Sequence, residues 1–374
     1  TDFGPWYIFM IDLFWAGYTV LPAAVLWGAS FPLALASVAS RDQDSGLIVG
    51  GIYAANTVGA IVGSLVFSMF LIPQFGTQWS QRLLILLAAF SALVAFAPFF
   101  ITRQITGKKG PKAVRFHGVI GGKLTAAFFS LVIVVLLGYL VAPVPWIAVA
   151  FGRFSSLWVD RCVPGIAQDK DVPIEASEET GLRYCVYLGE GMNVSVAVTK
   201  IDAKKIFFHG AGKMQASSTP EDMRLQRMLG HLSVLTQRDP NAVKDVLVVA
   251  CGAGVTAGSF IPYPNIERIT ICDIEPLVPK VVTPMFGMVN YHIVDGIDRK
   301  NPHMVEGKEV EVVYDDGRHY IRTLPKEKKF DVITSDPIDP WVKGCAALNT
   351  VEYYQMCKDH LNPGGVMSLW IPLY

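Results

Sequence analysis

Charged side chains are scarce in the first part of this 374-residue chain. Of its 32 Lys and Arg and 32 Asp and Glu, only twelve precede residue 151. Six of these are Asp2, Asp12, Arg41, Asp42, Asp44 and Arg82; the others are the basic residues from Arg103 to Lys123. So uneven a split excludes a single globular domain, and a chain that is 52% hydrophobic is not disordered. The net charge is zero, which excludes the electrostatic footprint of a nucleic-acid partner. Cysteine is sparse, six in all at spacings that match no zinc pattern, so no metal is expected. A secretory signal is also missing, because the first apolar stretch is too long and lacks a basic leading region. The chain opens on Thr1 and stops at Tyr374 directly after an apolar run, which reads as a segment of a longer product.

The first 150 residues are rich in long apolar runs. A helix needs about 20 apolar residues to cross a bilayer core, and four stretches qualify: 6–40, 46–73, 83–101 and 124–150. Residues 1–150 are therefore expected to form a multi-pass α-helical membrane domain whose partner is the lipid bilayer. Pro22 and Pro32 would kink the first helix. In the second, Gly51, Ala55, Gly59 and Gly63 recur every four positions, a spacing that lets helix backbones approach closely. Asp12 is the one acid inside a span and lies near a helix end, within reach of the interface. The loop at 101–123 carries six cations and no acid. The positive-inside rule puts that loop in the cytoplasm and, one crossing later, the soluble half outside.

Residues 151–182 read as an irregular connector along the membrane surface, with Pro164, Pro173 and an acidic run at 175–179. Residues 183–238 read as a small β region, with strands at 183–188, 194–200 and 205–209, followed by a helix from Pro220 to about Thr236. From 239 to 374 strands alternate with helices. The strands fall at 246–250, 268–272, 311–314, 330–334 and 366–371. That alternation predicts a Rossmann-like α/β fold with a parallel, doubly wound sheet, whose ligands sit beyond the carboxyl ends of the strands.

Asp273, Asp315, Asp316, Asp336 and Asp339 all fall at such ends. Gly252 and Gly254 lie in a glycine-rich turn after the first strand, where backbone can approach a ligand closely. An acid at the end of the second strand, about twenty residues on, is placed to accept hydrogen bonds from ribose hydroxyls. One after the third strand, at Asp316-Gly317, can receive an adenine amino group. The set suits an adenosine-bearing cofactor; the competing reading is solvated loop acids. Asp336 and Asp339 sit three apart in a proline-stiffened loop, where paired carboxylates can anchor an amine and one can take its proton. The competing reading there is a turn shaped by Asp-Pro pairs.

Together these segments resemble the spermidine synthase (polyamine aminopropyltransferase) family over about 183–374. The resemblance rests on Val246-Leu247-Val248-Val249 with the glycine turn, Cys272-Asp273-Ile274-Glu275, Asp316-Gly317, Phe330-Asp331-Val332-Ile333 with Asp336 and Asp339-Pro340, and Pro363-Gly364-Gly365-Val366. Leu225-Gln226 with Gly230-His231-Leu232 looks like the family's upstream helix. Val255-Thr256-Ala257-Gly258, Asp339-Pro340-Trp341-Val342-Lys343-Gly344 and the four spans look most like its membrane-fused bacterial branch. The resemblance implies that Asp273 holds the ribose and Asp316 the adenine of decarboxylated S-adenosylmethionine. Gln226 would line the same pocket. Asp336 would be the base on the attacking amine, with Asp339 helping to hold a polyamine or other small amine.

Two positions depart from the family pattern. The acid usual in the glycine turn is Ala253, and the tyrosine of the family's Tyr-Gln pair is Leu225. Both changes remove groups that recognise a cationic aminopropyl donor. Three readings therefore stand side by side: a membrane-anchored aminopropyltransferase, a methyltransferase using S-adenosylmethionine, and a non-catalytic subunit of a membrane complex. Whether the chain pairs as a homodimer or with other subunits stays open. The cofactor chemistry favours an inner-membrane protein with a cytoplasmic soluble domain, against the charge of the 101–123 loop. Cys162 and Cys185 flank the connector and could pair only outside.

Overall fold

The structure is a computed structural model that describes residues 4–38, 45–101, 117–166, 181–201, 205–335, 340 and 344–371. It divides into two compact units, Thr1–Phe70 and Leu71–Tyr374.

In the first unit, α1 (Pro5–Val38) and α2 (Ser45–Val66) are almost uncharged, and a π-helical turn (Phe67–Leu71) follows α2. Their hydroxyls fold back on the helix: Thr19 Oγ1 donates to the Trp15 carbonyl at 2.8 Å and Thr57 Oγ1 to that of Tyr53 at 2.9 Å. Side chains that bond their own helix leave no bare donor facing an apolar medium. Asp12 lies two turns into α1 and is exposed. Among the described residues, the close packing expected from the small residues of α2 is not seen at its glycines. A Cβ built on Gly51, Gly59 or Gly63 meets nothing within 4 Å. Small residues permit close approach, but they do not supply the partner. The stretches Phe9–Ala36 and Gly46–Val94 are long and apolar enough to cross a bilayer.

In the second unit, α3 (Ile72–Ile101) begins well before residue 83, where the third apolar stretch was expected to start. It breaks at Gly76 (φ 78°) and restarts at Thr77, so the polar run Thr77, Gln78, Ser80 and Arg82 is helical. The reason is tertiary, because those donors find acceptors. Gln78 Nε2 donates to the Val141 carbonyl at 2.8 Å and Arg82 Nε to that of Gly138 at 3.1 Å. Both carbonyls lie at the end of α4 (His117–Leu140), which stops ten residues short of the expected limit of 150. Residues 141–145 are non-helical, and Trp146–Phe151 forms a separate short helix, α5.

The first part of the connector, 151–166, is more regular than its composition implied. Two 3₁₀ turns (Gly152–Leu157, Val159–Arg161) lead into β1 (Cys162–Ile166), which pairs parallel with β2 (Arg183–Glu190). Next come β3 (Ser195–Lys200), β4 (Ile206–Gly210) and β5 (Lys213–Ser217), joined antiparallel in the sheet order β1-β2-β3-β4-β5. Helix α5 closes one face of this sheet, burying Trp146, Ala150 and Phe151 against Cys162, Cys185 and Ala197. Cys162 and Cys185 are buried free thiols.

Helix α6 (Pro220–Leu235) leads to the second sheet. Its strands are β6 (Asp245–Val249), β7 (Arg268–Asp273), β8 (His303–Val305), β9 (Lys308–Tyr314), β10 (Phe330–Ser335) and β11 (Leu361–Leu369). The order is β11-β10-β6-β7-β9-β8, all parallel except the short edge strand β8, which the sequence reading did not anticipate. The alternation within each strand sets the layers. Val246, Val248, Ile269, Ile271 and Val312 pack with Phe260, Phe286 and Ile293 on one face. Leu247, Val249, Cys272 and Ile333 pack with Ile321, Tyr353 and Cys357 on the other. The chain reverses direction across the sheet between β6 and β10, the switch point where such folds open a crevice.

Candidate active site

A cavity of about 540 Å³ opens where β6, β7 and β9 end. One wall comes from the parallel sheet: Val249, Ala250 and Gly252 after β6, Cys272 to Glu275 after β7, and Asp316-Gly317 after β9. The facing wall comes from the first sheet, through the β2–β3 turn (Met192, Asn193, Val194) and the β4–β5 hairpin (Gly210, Ala211, Gln215). Among the described residues, three carboxylates line the cavity and no Lys, Arg or His does. Such a surface suits a ligand that donates hydrogen bonds or carries positive charge.

Asp273 organises the turn opposite it. Its Oδ2 accepts the Cys251 amide at 2.7 Å and its Oδ1 the Glu275 amide at 2.8 Å. That bond holds a backbone forced out of the usual region, with Ala250 at φ 66° and Gly252 at φ 52°. Burial pushes the Asp273 carboxyl up to about 6, against the two amide bonds that favour its ionised form and with the nearby Glu275 charge adding to the rise. Each oxygen keeps a second lone pair for a ligand hydroxyl.

Asp316 caps α7 (Gly317–Thr323): its Oδ1 accepts the His319 amide at 2.8 Å. Gly317 lies so close to β6 that a Cβ there would come within 2.5 Å of Val249 Cγ1, so only glycine lets this wall of the cavity close. Asp315 faces elsewhere, holding His319 Nδ1 at 2.7 Å, and is not among the lining residues. Cys251 and Cys272 are packing thiols. Cys272 Sγ donates to the Asp315 carbonyl at 3.3 Å, and burial pushes its thiol up, far from a reactive thiolate.

Other residues singled out in the sequence lie away from the cavity wall. Gly254 is in the turn, yet a Cβ there would be 2.4 Å from Thr283 Cγ2, so the residue packs the turn onto the segment at 283 and is not among the lining residues. Gln226 is buried on α6 behind that turn; its main-chain carbonyl accepts Thr256 Oγ1 at 3.3 Å, and its Oε1 has no hydrogen-bond partner. It too is absent from the cavity lining. Ala253 is fully buried, its carbonyl taken by Asn290 Nδ2 at 2.8 Å. Asp336 and Asp339 lie outside the described residues. Strand β10 ends at Ser335, in register with Val249 just before the glycine turn. Among the described residues no group of three His, Cys, Asp or Glu side chains is arranged to hold a metal ion.

Sequence reasoning missed Glu275 and the whole facing wall. Glu275 is 2% exposed, and its Oε2 accepts the Asn193 amide at 2.8 Å and the Val194 amide at 3.3 Å. Only its place two residues beyond Asp273 could have drawn attention to it.

Residues 222–370 match the family described as the Spermine/spermidine synthase domain. The match covers this segment, about two fifths of the chain, and is a similarity to that family's domain. Polyamine aminopropyltransferase from Aeropyrum pernix is 26% identical over 182 residues, 48% of this chain and 53% of that protein. Polyamine aminopropyltransferase 2 from Streptomyces coelicolor is 23% identical over 353 residues, 93% of this chain and 53% of that protein. A spermidine synthase crystallised with the transition state analogue AdoDATO matches at TM-score 0.42 and 23% identity, covering 50% of this chain and 57% of that one. The chain thus spans about half the length of these relatives. The matched segment takes in most of α6, the glycine turn and every strand of the second sheet, whereas the β2–β3 turn and the β4–β5 hairpin precede it.

Proposed function

We propose that the chain is a membrane-anchored transferase of spermidine-synthase type, moving an aminopropyl group from decarboxylated S-adenosylmethionine to an amine. The observation that carries this reading is the row of carboxylates, Asp273, Glu275 and Asp316, lining one cavity beside Gly252 and Gly317, with no cation among the described lining residues. Asp273 accepts the ribose hydroxyls and Asp316 the adenine amino group. The amine nitrogen attacks the carbon beside the sulfonium. A C–N bond forms as the C–S bond breaks, the bonding pair stays on sulfur as neutral methylthioadenosine, and Asp336 takes the proton from the nitrogen. In the chain Asp336 follows Ser335, the last residue of β10, which is in register with Val249; Asp339 helps to hold the amine. Alignment of the two reactants in a closed pocket supplies most of the rate. The apolar stretches at Phe9–Ala36 and Gly46–Val94 support anchoring in a cell membrane, and the donor's chemistry favours a cytoplasmic synthase domain.

A second reading, methyl transfer from S-adenosylmethionine, is favoured by Ala253 and Leu225, which leave the glycine turn and α6 without the groups expected to meet an aminopropyl ammonium. Calorimetry on the full chain with decarboxylated S-adenosylmethionine, S-adenosylmethionine and methylthioadenosine separates the two. Preference for the decarboxylated donor is expected. Preference for the carboxylated one moves the assignment to methylation, and no binding of any of the three removes both. Asp336→Asn is expected to abolish turnover and spare nucleoside affinity; unchanged turnover excludes it as the base.

A further inference from the structure

The β2–β3 turn, Glu190 to Val194, is tied down at both ends by carboxylates. At one end, Glu190 reaches the broken start of α3: the Thr77 amide donates to both of its oxygens at 3.0 Å, and Thr77 Oγ1 donates to Oε2. Gly76 makes room for this. With φ 78°, a Cβ there would stand 3.0 Å from Glu190 Oε1. At the other end, Glu275 holds the Asn193 and Val194 amides, and Asn193 Nδ2 donates to the Ile274 carbonyl at 2.7 Å. Between them sits Gly191, where a Cβ would fall 2.4 Å from the Glu275 carboxyl carbon, so the turn lies directly on that carboxylate. Met192, Asn193 and Val194 line the cavity. The same few residues are therefore bonded to α3 on one side and to the ends of the nucleoside-facing strands on the other.

We propose that Glu190 and Glu275 are positioning residues that hold the β2–β3 turn as the roof of the cavity, so that the start of α3 sets how tightly the cavity grips its nucleoside. This rests on the reading of the cavity as a nucleoside site. Glu275 fixes the roof to the strand ends, and Glu190 fixes it to the helix pair α3–α4. Releasing either tie lets the roof lift and weakens the ligand without touching a group that contacts the reacting atoms.

The test uses the full chain in lipid nanodiscs, with two readouts: hydrogen exchange of the peptide spanning 191–195, without ligand, and methylthioadenosine affinity. Glu190→Ala, which removes the acceptor of both Thr77 donors, is expected to speed exchange and weaken affinity about tenfold, the equivalent of one hydrogen bond to a charged group. Glu190→Gln, which keeps one acceptor, is expected to restore most of both. If faster exchange is confined to residues 77–80, and the 191–195 peptide and the affinity stay as in wild type, Glu190 is only a helix cap and the proposal fails. Should Glu190→Ala lose its circular dichroism signal, Thr77→Val carries the same test with a smaller, about threefold, expected change. A wild-type chain that binds no nucleoside overturns the function reading alone, since the ligand-free exchange arm still decides whether Glu190 holds the roof.

Discussion

Asp273 ties the proposed ligand to pH in a way that calorimetry reads directly. In the free protein its carboxyl is pushed up to about 6 by burial, whereas ribose hydroxyls need an ionised acceptor. A nucleoside that donates to Asp273 must therefore displace its proton when pH is near or below that value. At about pH 5 roughly one Asp273 in ten is ionised, so affinity for methylthioadenosine is expected to be about tenfold weaker than at about pH 8. Near pH 6 about half a proton is released per ligand bound, seen as a dependence of the observed heat on buffer ionisation enthalpy. The same group acts on stability with a definite sign. Its folded value lies above the unfolded one, so its contribution is fully present below about pH 4 and is lost as pH rises through about 6, amounting to ~3 kcal/mol. Nucleoside binding recovers part of that loss, and the ligand-induced rise in Tm should therefore be larger at pH 8 than at pH 5. A dissociation constant that stays flat across this range, with no proton released, refutes the role of Asp273 as an ionised acceptor.

Other substitutions test the frame around the site. Gly258→Ala places a Cβ 2.4 Å from the Asn290 carbonyl oxygen, a backbone atom that cannot step aside; about 1–3 kcal/mol of stability is expected to be lost in denaturant unfolding. Asp316→Ala removes the α7 cap and is expected to cost about 1 kcal/mol along with nucleoside affinity; unaltered affinity argues against the adenine contact. Leu247→Ala empties a fully buried position between β6 and the helices over it, with an expected loss of about 2–5 kcal/mol in urea titration.

Much of the segment from 222 to 370 was legible in the chain because its signals are local. Val246 to Val249 is an apolar run ending in a glycine turn, and Asp273 follows the next such run at the spacing a βαβ unit dictates. The structure brings Asp273, Asp316, Gly252 and Gly317 to one cavity. Gly254 sits in the same turn but faces Thr283, a distinction that depends on which side of a four-residue turn meets a neighbour 29 positions away. Strand β8 is only three residues long and is defined by its pairing with β9, so no window of its own sequence marks it. The polar stretch 77–82 reads as a loop by composition and is helical because Gly138, Val141 and Glu190 accept its donors.

The sequence by itself determined the division into an apolar half and a charged half, the alternating strands of the parallel sheet and the acids at their ends. These depend on residue type and on spacing within a few turns of chain, which backbone geometry converts directly into faces and ends. Tertiary structure alone decided what closes the cavity. The β2–β3 turn meets Glu275 some eighty residues later, and Glu190 meets Thr77 across 113. Contacts of that range carry no local signature, because each partner's type suits many surroundings and only the packed fold selects one.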